Sequence, residues 1–180
     1  FSVFYFLFFK LLFSKMISII PATTNDYKTI QNIALQTWPI AYGEILSKAQ
    51  LDYMLDAFYN EEALKDSVAN KGHHFILAKE GEGILGFASY EHHYNQKQQT
   101  KIHKIYILPQ TQGKGIGKKL IDYVEKVAKE NDSTALSLNV NRFNKALHFY
   151  QKLGFEIVEE VNIELEHGYL MEDYVMEKKL

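Results

Sequence analysis

The sequence predicts a single α+β domain, built on a mostly antiparallel twisted sheet of about seven strands with helices on both faces. Three observations predict it. The chain has 180 residues, 47% hydrophobic and 23% charged, which is globular composition at a length that supports one core. Its hydrophobic period changes from helical spacing to alternation, passes through a βαβα stretch and returns to alternation. A glycine-dense turn after the last of three consecutive strands opens a long amphipathic helix.

The elements follow in order. ISIIPA (17–22) is apolar and β-branched and reads as a short first strand. Thr24 or Asn25 caps the next run, in which Ile30, Ile33, Ala34 and Trp38 recur at helical spacing and which Pro39 is expected to end. A second helix covers 47–58, with Leu51, Met54, Leu55 and Phe58 on one face, and a short one runs over 60–68. Three strands follow at 73–80, 84–93 and 101–108, the first two joined by the turn Gly81-Glu82-Gly83. The amphipathic helix covers 115–130, with Ile116, Leu120, Val124 and Val127 inward. A strand at 134–140, a helix at 144–153 closed by Gly154, and an antiparallel pair of strands complete the chain.

Composition excludes several functions. With no cysteine there is no disulfide, thiolate nucleophile, zinc knuckle or iron–sulfur site, which fits a cytoplasmic location. Net charge is −2 and Arg142 is the sole arginine, so a nucleic-acid partner is not expected. No metal is expected either, because the side chains of His73-His74 and of His92-His93 point to opposite faces of their strands. Residues 1–15, FSVFYFLFFKLLFSK, stand apart from the rest. They hold six of the twelve phenylalanines without a second face, and Lys10 interrupts them short of a span. They read as translated upstream sequence with Met16 as the start, with a membrane anchor or export signal as the alternative. Residues 16–180 form the domain, for which no membrane association is expected.

The informative stretch is Ile105-Tyr-Ile-Leu-Pro-Gln-Thr-Gln-Gly-Lys-Gly-Ile-Gly-Lys118. Glycines at a helix start let successive N–H groups face one ligand, and the helix dipole favours an anion there, so a phosphate is the expected guest. The nucleotide P-loop is excluded because Gln112 stands where its first glycine belongs and Lys119 where Ser or Thr belongs. The dinucleotide fingerprint fails on spacing, G-x-G-x-G in place of G-x-G-x-x-G.

The pattern Gln112-x-x-Gly115-x-Gly117 resembles the acetyl-CoA diphosphate loop of the GNAT superfamily of N-acetyltransferases. IYILPQTQGKGIGKKLID, LNVNRFNKALHFYQKLGF and the closing GYLMEDYVMEKKL resemble that superfamily's segments in their order, so the likeness runs from Met16 to the C-terminus. It implies the acyl-CoA N-acyltransferase fold, acetyl-CoA as co-substrate and a primary amine as acceptor. Small-amine acetyltransferases of the spermidine type are the nearest in character, which makes a polyamine one expected acceptor. Acetylation of a protein N-terminus or lysine, and a non-catalytic acyl-CoA-binding module, are the rivals. A homodimer is compatible with all of these.

The resemblance also assigns roles. The cofactor lies between the strands 101–108 and 134–140, with main-chain groups of Ile105, Tyr106 and Ile107 on the pantetheine. Gln112, Gly113, Lys114, Gly115, Ile116, Gly117 and Lys118 surround the diphosphate, with Lys119 adding charge nearby. Asn141 or Asn144 bonds the pantetheine or merely caps the helix. Tyr150 supplies the proton that the departing CoA thiolate needs. His103 is the expected general base, on one strand face with Lys101 and Ile105, with Glu91 and His92 in reserve. Trp38, Tyr42, Tyr53 and Met54 are expected to line the acceptor pocket, with Asp52 or Glu44 facing a cation. Without a cysteine to carry the acyl group, transfer is expected to be direct.

Overall fold

The computed structural model describes residues 16–180; the reading of residues 1–15 falls outside them. Seven strands form one sheet: β1 (Ile17–Pro21), β2 (His74–Glu80), β3 (Gly83–Glu91), β4 (Gln99–Ile107), β5 (Ala135–Asn141), β6 (Glu156–Glu164) and β7 (Leu170–Lys179). Their spatial order is β1-β2-β3-β4-β5-β7-β6, and only the β4–β5 pair is parallel. Helices α1 (Tyr27–Tyr42), α2 (Lys48–Tyr59) and α3 (Glu61–Ala69) cover one face, while α4 (Ile116–Glu130) and the short α5 (Leu147–Lys152) cover the other.

Alternation in the strands builds both cores. On β2, Phe75 and Leu77 face α1–α3 with Phe87, whereas Ile76 and Ala78 face α4. On α4, Ile116, Leu120, Ile121, Val124 and Ala128 form one buried stripe, and Val127 sits at its margin. Side chains cap two helix starts: Ser47 Oγ accepts from the Gln50 N–H at 3.2 Å, and Asn60 Oδ1 from that of Ala63 at 2.8 Å.

Two boundaries depart from expectation. Pro39 does not end α1, which runs on to Tyr42. In the last turn proline forfeits a single hydrogen bond, and its own carbonyl still accepts from Gly43 N–H at 3.0 Å. The helix expected over 144–153 forms only over Leu147–Lys152. Upstream, Asn141 Oδ1 takes the Phe143 N–H at 3.1 Å and Asn144 Oδ1 takes the Ala146 N–H at 2.9 Å, so these side chains hold the chain in turns.

Register explains the central feature. β4 and β5 pair only from Gln99↔Ala135 to Ile102↔Leu138. Beyond that, β4 stays with β3 as far as Ile107↔Gly86, and β5 stays with β7 as far as Asn141↔Asp173. The sheet therefore splits, and β4 keeps an edge facing the opening. At the split a bulge leaves His103 without a partner, since Ser89 pairs with Lys104 and Tyr90 with Ile102. The bulge overturns the shared face expected for Lys101, His103 and Ile105: Ile105 packs on the α4 core, while His103 and Lys104 both face the α1–α2 side. Close approach at the far end of β4 requires Gly86, which pairs with Ile107 and where a Cβ would lie 2.6 Å from the Tyr106 carbonyl oxygen. No helix among the described residues is long and apolar enough to cross a membrane.

Candidate active site

Two cavities meet at the split in the sheet, with Tyr106 in the wall of each. The larger, about 690 Å³, runs between α1 and the start of α4, over the end of β4 and the segment 143–149. Tyr106, Ile107, Gln112, Gly113, Gly115, Ile116, Gly117, Lys118 and Asn144 of the expected cofactor set line it. Three of that set lie elsewhere. Ile105 packs on the α4 core, Lys114 pairs with Glu80 at 2.9 Å, and Asn141 lines the smaller cavity.

The glycine loop presents donors. Gly113 and Gly115 hold φ of 83° and 72°, the left-handed region that favours glycine, and a Cβ on either would meet nothing within 4 Å. The first helical hydrogen bond of α4 runs from Lys119 N–H to the Gly115 carbonyl at 3.1 Å, so the N–H groups of Ile116, Gly117 and Lys118 have no intrahelical acceptor. No acidic side chain occupies that first turn. Lysine charge is smaller than the sequence suggests, because Lys118 pairs with Asp122 at 2.7 Å in addition to the Lys114–Glu80 pair. Backbone donors and the helix dipole thus dominate the attraction for an anion here.

Tyr150 does not line the larger cavity. It is buried edge-on to Phe149 and Phe155, and burial raises its phenol above the usual tyrosine range, keeping it protonated at neutral pH. Phe149 forms the wall in front of it and approaches Gly117, whose Cβ would lie 2.9 Å from the Phe149 ring.

The smaller cavity, about 220 Å³, lies on the α1–α2 side of the split. Trp38, Tyr42 and Met54 line it, but Tyr53 does not: its ring packs against His167 and Tyr169 at the turn before β7. The expected cation partners are elsewhere too. Asp52 pairs with Lys48, and Glu44 lines the larger cavity and approaches Lys145. The carboxylate that does line the pocket is Asp173 of β7, which is 2% exposed. Burial raises its pKa against the opposing pull of Asn139, Lys101 and Arg142. Sequence reasoning missed it, although an acid between Met171 and Val175 on one strand face was a readable signal.

His103 Nε2 meets Glu91 Oε2 at 2.8 Å, and its ring stacks on His73 at 3.9 Å. Burial, with His73, Lys101 and Lys104 adding like charge, lowers its pKa to about 2; burial and Lys104 lower His73 to about 4. Both rings are neutral at physiological pH. His73, Glu91 and His103 bring ligand atoms within 4.8 Å of one another, a grouping the adjacent-histidine argument did not foresee. With the rings only 15° from parallel and face to face, their in-plane lone pairs run side by side without converging, and the flanking lysines repel a cation. The arrangement suits hydrogen bonding better than metal coordination.

Residues 27–155 match the acetyltransferase (GNAT) family. The chain is 24% identical over 160 residues to a spermidine N(1)-acetyltransferase of Thermoplasma acidophilum, covering 86% of this chain and 92% of the relative. It is 32% identical over 124 residues to a 5-NmdU N-acetyltransferase of Pseudomonas phage PaMx11, covering 68% of this chain and 85% of that one. The crystal structure of PaiA N-acetyltransferase from Thermoplasma acidophilum in complex with coenzyme A superimposes with a TM-score of 0.76 at 25% identity, over 92% of this chain and 99% of that one.

Proposed function

The chain belongs to the GNAT acetyltransferase family and is an acetyl-CoA-dependent N-acetyltransferase; from that premise we propose that it acetylates a small primary amine by direct attack while both substrates are bound. One observation carries the reading: free helix-start amides open onto the larger cavity beside the unpaired edge of β4, and a second, aromatic pocket meets it at Tyr106. The likeness to a spermidine acetyltransferase makes polyamines the reference acceptors.

The residues fit the co-substrate. Gly113–Lys118 offer amide donors to a diphosphate, and the β4 edge at Ile105–Ile107 offers main-chain groups to an extended amide-bearing arm. Acetyl-CoA supplies an activated acyl group; the protein must polarise its carbonyl, take a proton from the amine and return one to sulfur. The Ile107 N–H is assigned the first task, as in an oxyanion hole. His103 is assigned the second: with Nε2–H donating to Glu91, Nδ1 keeps a lone pair, and the Glu91 carboxylate offsets the charge that the ring acquires. Tyr150 is assigned the third, from its buried place directly behind Phe149 in the chain. Nitrogen bonds to the acyl carbon, the carbon–sulfur bond breaks, and the amine loses the proton that His103 receives.

A panel of amines and peptides assayed by release of free CoA thiol tests this. Turnover with small amines is expected; turnover with peptides alone would move the assignment to protein acetylation, and turnover with neither would leave an acyl-CoA-binding module.

A further inference from the structure

The pocket proposed for the acceptor contains a cation that no carboxylate among the described residues pairs with. Lys104, brought to the pocket face by the bulge at His103, places Nζ 4.5 Å above the Tyr59 ring and 5.6 Å from that of Phe58. Both aromatics line the pocket beside it. No carboxylate among the described residues acts on it: its pKa falls to about 8 through burial and the like charge of Lys71. Ring faces stabilise an ammonium only partly, and charges in such surroundings are ordinarily paired. A second donor lines the same pocket: Trp38 Nε1–H is buried against Tyr59, 5.5 Å between rings, interacts with that residue's hydroxyl without reaching full hydrogen-bond geometry, and can only donate. Lys101, His73 and His103 add no acceptor charge on this wall, and Glu91 is occupied by His103.

We infer that Lys104, with the Trp38 indole, is a carboxylate-recognition site, and that the acceptor is an aminocarboxylate whose acid group lies close to the reactive nitrogen. The inference rests on the smaller cavity being the acceptor pocket. Lys104 neighbours His103 in sequence, so a carboxylate on Nζ sets an adjacent amine beside the proposed base, as the short separation in an α-amino acid requires. The substrate's negative charge also offsets the lysine that opposes protonation of His103, so the correct acceptor strengthens the base it needs. Across the pocket, Asp173 and the unpartnered Oδ1 of Asn139 offer acceptors to a polar substrate side chain. A polyamine would satisfy Asp173 but bring a further ammonium against Lys104.

The test compares amino acids with their decarboxylated counterparts (tyrosine with tyramine, ornithine with putrescine) by CoA release from the full chain. The kcat/KM of the amino acid is expected to exceed that of its partner by about tenfold or more. Lys104→Met should shrink that ratio by about tenfold, mainly through KM for the amino acid, and Lys104→Arg should restore most of it. Because the ratio is internal to each variant, partial loss of folded protein does not alter it. Equal or greater kcat/KM for the decarboxylated amines, or an unchanged ratio in Lys104→Met, overturns the inference while leaving the small-amine reading standing. Turnover with neither member of any pair overturns both.

Discussion

Replacing Gly115 by alanine separates the backbone's role in folding from its role in binding. Gly115 precedes α4 at φ 72°, where an L-residue pays roughly 1–2 kcal/mol. The added Cβ meets nothing within 4 Å, so no steric term adds to that cost. For a domain of this size, the penalty corresponds to a fall in Tm of about 2–8 °C. Binding should suffer more. The Cβ projects where a diphosphate would approach the amides of Ile116, Gly117 and Lys118, and each charge-assisted hydrogen bond lost is worth about 1.5–3 kcal/mol. Loss of one predicts a rise of about 10- to 150-fold in Kd for CoA. Gly81→Ala is the control, since Gly81 has φ 60° in the β2–β3 turn and carries the same backbone cost away from the loop. Calorimetric titration with CoA and thermal melts of both variants are the assays. A Gly115→Ala protein that melts lower but binds CoA within about twofold of the parent would refute the cradle, because one lost charge-assisted bond alone exceeds that change.

Two further predictions concern titrating side chains. Tyr150→Phe should lower kcat by about 100- to 10,000-fold while leaving CoA affinity nearly intact, and unchanged kcat would remove the tyrosine from proton return. Acid should destabilise the fold through His73 and His103, whose folded pKa values are depressed to about 4 and about 2. The unfolded rings bind protons from about pH 6.5 downward while the folded ones do not, so stability is complete above that pH and declines below it. Each ring contributes at most about 1.4 kcal/mol per pH unit, less where solvent screens it. Glu91 and Asp173, both raised by burial, act with the opposite sign nearer the carboxylate range, so the slope is best read between about pH 7 and about pH 5.5. Urea midpoints over that interval should fall in the parent and flatten in a His73→Phe, His103→Phe double variant; parallel declines would show that the rings are not responsible.

The fold was legible wherever side-chain period alone decides structure. The alternation of β2 and the stripe of α4 each require one burial pattern, and the glycine turn announced its own backbone. Errors arose where a single residue competes with its neighbours. Pro39 sits late enough in α1 to be tolerated, and the amides of Asn141 and Asn144 outbid helical hydrogen bonds over 141–146. Half of the lining of the larger cavity, which we propose for the cofactor, is contiguous in sequence, from Tyr106 to Lys118, and that half could be read from the glycine turn. The lining of the smaller cavity is not contiguous. Lys104 reaches it because a bulge shifts β4 by one residue, and strict alternation assigns the wrong face past such a point. Asp173 lies opposite Asn141 at the end of the β5–β7 pairing, beyond the point where β5 leaves β4; its place on a strand face could be read from spacing, but the cavity it enters follows from that non-local pairing.

The central claim is that the amides opening α4 hold the diphosphate of CoA. Amide NMR of the ¹⁵N-labelled protein, titrated with CoA and separately with phosphate-free pantetheine, tests it most directly. Downfield shifts of the Ile116, Gly117 and Lys118 N–H signals with CoA, absent with pantetheine, are the predicted result. Binding of CoA that moves other resonances and leaves these three in place would contradict it.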